Sequence, residues 1–69
     1  MNVPRRIAAL RREVDYRKAE LERIARLQAA GGENLNNPLL AGFIEKYLAD
    51  IRLGIAQRQA EIRILQAGS

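Results

Sequence analysis

Tyr16 stands in a run of cations, with Arg12, Lys18 and Arg23 close to it along the chain. An aromatic ring among guanidinium groups is the composition of a protein-interface hot spot, because a flat apolar surface and forked donors can both engage a partner. Arg5, Arg6, Arg11 and Arg12 carry the positive charge on towards the N-terminus. Such a patch suits phosphate or an acidic protein surface. Ordinary solvation accounts for the same charges, since Glu13–Arg17 and Glu22–Arg26 are i,i+4 pairs, each supporting a helix by roughly 0.3 kcal/mol. The candidate partner-binding set is therefore Tyr16, Arg5, Arg6, Arg11, Arg12 and Arg23. An acidic protein ranks ahead of nucleic acid as its partner, because no helix-turn-helix, basic-zipper or RNA-recognition pattern accompanies the charge.

Catalytic chemistry is hard to assemble from this chain. It contains no Cys and no His, and its only Ser is Ser69. Imidazole- or thiolate-based metal sites and the usual nucleophile–base arrangements are thereby excluded. The acids occur singly along charged stretches, and Gly31-Gly32 does not match a phosphate loop. The sequence reads as a non-enzymatic binding protein with no catalytic residue, cofactor or metal.

Two long elements must position these groups. Gly31-Gly32 with Asn34, Asn36, Asn37 and Pro38 is the only cluster of helix breakers between the termini. Gly31 suits a left-handed helix end, and Asn37-Pro38 suits an N-cap followed by proline; Asn36 as cap with Leu35 packed on Leu40 is the alternative start. The expected organisation is a single domain over 1–69, with a helix over about 4–30, a turn over 31–37 and a helix over about 38–67. The short connection makes it an all-α antiparallel two-helix hairpin.

Ile7, Leu10, Val14, Leu21 and Ile24 recur at helical steps in the first arm, with Arg17 filling the gap. Ile44, Leu48, Ile51, Ile55, Ile62 and Leu65 do so in the second, where Arg58 fills the gap. Folding about the turn sets Ile24 near Ile44, Leu21 near Leu48, Val14 near Ile55 and Ile7 near Ile62. Arg17 then faces Ile51 and Arg58 faces Leu10, their methylene stems covering the seam while the charged ends reach water. Phe43 and Tyr47 lie beside the second seam and are expected to close the core near the turn. Tyr16 lies about 130° from the first seam by the helical wheel and is expected to be exposed.

The second arm has another apolar face. Ala49, Leu53, Ala56, Ala60, Ile64 and Ala67 cluster opposite its seam, where one partner helix cannot reach. A 69-residue chain without disulfides or metal has a marginal core, so Ala49, Leu53, Ala56, Ala60 and Ile64 are expected to pair with a second copy as a homodimeric four-helix bundle.

Charge is unevenly placed. The first arm carries eight cations against four acids, and the second four against three, so nearly all of the +4 excess belongs to the first. Antiparallel folding is expected to bring Arg58 and Arg63 towards Arg5, Arg6, Arg11 and Arg12 and make the open end basic. The longest charge-free stretch, Asn34 to Ile44, is far shorter than the roughly 18 apolar residues of a membrane span. No secretory leader is readable after Met1, and the expected location is cytoplasmic.

In size, in its Arg-rich first helix and in its two-sided second helix, the chain resembles small inhibitor proteins of Pseudomonas phages, of the anti-quorum-sensing and type IV pilus inhibitor kinds. That resemblance covers the organisation of the whole chain and no individual functional residue. It implies a dimeric anti-activator or inhibitor that binds and disables a host protein, either a quorum-sensing transcription factor or a pilus assembly ATPase. Asn37-Pro38-Leu39-Leu40-Ala41 with Phe43 resembles the turn of type III secretion needle subunits, over about a tenth of the chain, and implies a secretion chaperone or structural subunit. The hairpin plan also resembles plasmid RNA-binding hairpins of the Rop type, in which the basic first helix would be the RNA face.

Overall fold

Helix propensity and end-capping set the two elements. A computed structural model describes residues 2–31 and 37–68, and these form two helices, α1 (Val3–Ala30) and α2 (Pro38–Ala67). Asn2 is extended at φ −83° and its side-chain oxygen accepts from the Arg5 N–H at 3.0 Å, which starts α1 one residue before the expected position. Gly31 takes the left-handed conformation at φ 65° and its N–H donates to the Gln28 carbonyl at 3.2 Å, closing the helix as its sequence position suggests. Asn37 caps α2 by accepting from the Leu39 N–H at 3.0 Å, with Pro38 first in the helix. The alternative cap at Asn36 with Leu35 falls outside the described residues.

The helices pack lengthwise into a hairpin 50 Å long and about 15 to 17 Å across. The apolar steps read from the sequence all turn inward: Leu10, Val14, Ile51 and Ile55 are buried, and the other seam residues are half-buried. Leu21 and Ile24 pack against the central cluster of Val14, Ile51 and Ile55. Arg17 and Arg58, at the interrupted positions, are half-buried, consistent with stems along the seam and charged ends beyond it.

One expected core contact is absent. Phe43 is 70% exposed and Tyr47 50%, so neither closes the hairpin near the turn. Phe43 precedes the seam residue Ile44 and is therefore about 100° around the helix from it, beyond the arc that a single opposing helix covers. Tyr47 instead spans to α1 beside the seam, donating its hydroxyl to Glu20 Oε1 at 3.3 Å. No described helix is long and apolar enough to cross a membrane.

Candidate partner-binding face

Among the described residues, polar contacts from heptad-spaced positions on α1 tie the helices together. Arg6 Nε donates to Glu61 Oε2 at 2.9 Å, Arg58 Nε donates to Glu13 Oε2 at 2.6 Å, and Glu20 accepts from Tyr47. Positions 6, 13 and 20 recur every two turns, so they share one flank of the seam. The matching heptad on α2 is 61, 54 and 47, and its middle member is Gly54. With no side chain there, the Arg58 guanidinium lies back over the gap. It donates to the Gly54 carbonyl at 3.0 Å, and a Cβ on Gly54 would stand 3.2 Å from Arg58 Nη1 and 3.3 Å from Arg17 Nε. Gly54 thus leaves the space in which the Arg17 and Arg58 side chains lie, a placement that composition alone does not reveal.

This arrangement revises the expected pairing of Glu13. Arg17 donates to the main-chain carbonyl of Glu13 at 3.4 Å, while the Glu13 carboxylate pairs with Arg58 across the hairpin. The geometry favours Arg58 because its Nε meets the carboxylate while its Nη1 is already anchored on Gly54. The hydrogen bond from Arg58 holds the Glu13 carboxyl below the ordinary carboxylate range against partial desolvation, and the charges of Arg58, Arg17 and Arg6 act in the same direction. The other expected pair, Glu22–Arg26, forms no ion pair; the salt bridge on that part of α1 joins Arg23 to Glu20.

Around Tyr16 the surface forms a shallow notch of about 400 Å³, lined by Tyr16, Arg17, Glu20, Arg23, Tyr47 and Ile51. Tyr16 is 72% exposed at its edge, as the helical wheel requires. Glu20 Oε1 accepts from both Arg23 and Tyr47. The Glu20 carboxylate raises the Tyr47 phenol above its ordinary value, aided by partial desolvation and by the hydrogen bond. Its contribution to stability is therefore present below the ordinary tyrosine range and lost as pH rises through the raised value. In a Tyr16→Phe background, tyrosinate absorbance should show Tyr47 ionising at higher pH than in Tyr16→Phe/Glu20→Gln. Coincident titrations of the two variants would show that the contact does not form.

The six residues of the sequence-derived binding set do not act as one patch. Arg5, Arg12, Tyr16 and Arg23 follow one another at steps of seven, four and seven, which places them on one stripe of α1 outside its seam, with Tyr16 and Arg23 also bordering the notch towards Tyr47. Arg5 and Arg12 are exposed and have no ion pair among the described residues, whereas Arg23 is bonded to Glu20. Arg6 is taken up by Glu61, and Arg11 borders a separate recess lined with Val3, Pro4, Ile7, Ala8 and Gln66. At the open end Arg6 and Arg58 alternate with Glu61 and Glu13, and Arg5, Arg11, Arg12 and Arg63 form no ion pair among the described residues.

On α2, Ala49, Leu53, Ala56 and Ile64 are exposed and Ala60 is half-buried, so most of the second apolar face is uncovered in the hairpin. No group of three or more acidic residues among those described could hold a metal ion. The chain is thus an α-helical hairpin with an aromatic–cationic stripe outside α1 and an apolar face outside α2. Comparison with protein-family models, curated proteins and solved structures finds no match.

Proposed function

We propose that this hairpin is a non-enzymatic protein-binding module that captures an acidic surface of a partner through the outer stripe of α1. The observation that carries this reading is Tyr16, 72% exposed, in line over roughly 16 Å of helix with Arg5 and Arg12, which have no ion pair among the described residues. An exposed ring flanked by guanidinium groups held on a rigid helix needs little ordering on binding, which favours affinity. The likeness to phage inhibitors extends the proposal to a host regulator, held inactive by this contact.

Capture of the native partner from its host, followed by affinity measurement, tests the reading. Tyr16→Ala should weaken binding by about 30-fold, the equivalent of ~2 kcal/mol at a hot spot. Arg5→Ala with Arg12→Ala should weaken it as well, and Arg11→Ala, on a different side of α1, should not. All three variants should keep wild-type helical content. Wild-type affinity in both Tyr16→Ala and the Arg5/Arg12 variant would refute the stripe as the binding face. Loss of binding by orders of magnitude over a few-fold rise in salt, with Tyr16→Ala harmless, would identify an RNA ligand instead.

A further inference from the structure

The hairpin leaves Phe43, Leu53 and Ile64 exposed on α2 at 57% or more, although its core holds only four buried side chains among the described residues. We propose that a second copy of this chain covers them, with the two α2 helices antiparallel and in one defined register. This contact lies on the side of the hairpin away from the Tyr16 stripe and does not depend on the function proposed for it.

The register follows from the apolar spacing. In an antiparallel helix pair, the two inner positions of each heptad pack against the opposite kind on the partner. Gly42, Ala49, Ala56 and Arg63 form one set and Lys46, Leu53, Ala60 and Ala67 the other, so Leu53 seats on Ala56 of the second copy, Ala49 on Ala60 and Gly42 on Ala67, with Lys46 beside Arg63. The contact then runs from Gly42 to Ala67, roughly 38 Å at 1.5 Å per residue. Small residues along it permit close approach, and Leu53 finds a small one opposite. Phe43 comes beside Ile64 of the second copy, which covers both exposed side chains in one contact.

Charge supports the same answer. In this register Lys46 shares a layer with Arg63 of the second copy, Glu45 comes within reach of that Arg63, and Asp50 meets Gln57 on the flank. Each pair occurs twice by symmetry, and the Glu45 carboxylates offset the facing Lys46 and Arg63 cations. A parallel pairing would set Lys46 on Lys46, Arg63 on Arg63 and Glu45 against Asp50. The apolar face and the seam of α2 are on nearly opposite sides, so the two α2 helices lie side by side between two outer α1 helices. Both Tyr16 stripes remain open in that arrangement.

The natural absence of cysteine makes cross-linking a direct test. In the antiparallel register, Ala49→Cys and Ala60→Cys chains face each other, whereas two copies of either variant hold their thiols roughly 16 Å apart along the helix. Mild oxidation should therefore leave each variant alone largely unlinked and convert most of an equimolar mixture to a covalent heterodimer. Wild-type protein should show twice the 7.8 kDa chain mass in light scattering. A monomer mass at about 100 µM, where contacts of micromolar affinity are saturated, would overturn the proposal. So would efficient linking of Ala49→Cys to itself, which is the signature of a parallel pair.

Discussion

Leu10→Ala should destabilise the hairpin by about 2–5 kcal/mol, the range for a buried leucine whose cavity cannot collapse. Leu10 is 1% exposed, the most completely buried large side chain described. Its surroundings are poorly suited to refilling the space. It shares a recess with Arg6, Glu13, Gln57, Arg58 and Glu61, and moving those side chains inward would break the Arg6–Glu61 and Arg58–Glu13 contacts. A single core of this size supplies about 3–5 kcal/mol, so the loss approaches the whole stability of the isolated hairpin. Helical circular dichroism followed through a urea titration gives the measurement. Leu27→Ala, at an exposed position on the same helix, should shift stability by no more than about 0.5 kcal/mol. If Leu10→Ala unfolds at the wild-type midpoint, the packing at this end of the hairpin is wrong.

The second large effect falls on assembly. Ala49→Glu with Ala56→Glu should raise the dimer dissociation constant by on the order of a thousandfold, because four carboxylates would enter the contact and each carries a desolvation penalty of several kcal/mol when buried. Both positions are exposed in the single hairpin, so the carboxylates remain hydrated there and the fold of one chain is not the target. Ala60 is half-buried against the hairpin itself and makes a less clean probe. Wild-type thermal midpoints should rise with protein concentration, since dimer stability follows mass action. The doubly substituted chain should be monomeric and unfold at a midpoint that does not change with dilution. A folded dimer in that variant would place the interface elsewhere.

Leu10 and Gly54 mark the boundary between what sequence determines and what tertiary structure decides. Burial of Leu10 follows from local periodicity: apolar side chains three and four apart occupy one face of a helix, and a hairpin must cover that face. The same local chemistry places the helix ends, since Gly31 tolerates a positive φ and Asn37 before Pro38 caps a new helix without needing distant contacts. The outward direction of Tyr16 also follows from the wheel alone. Charge pairing does not. Glu13 has a cation four residues away on its own helix, yet it bonds Arg58 across the interface, and the Arg17 and Arg58 side chains lie in the space that Gly54 leaves. Likewise, Arg6 is drawn out of the binding set by Glu61, 55 residues further along the chain. Phe43 stays exposed because α1 covers only the seam of α2. Backbone periodicity is fixed by steps of a few residues, whereas a long charged side chain selects among partners brought within reach by helix register.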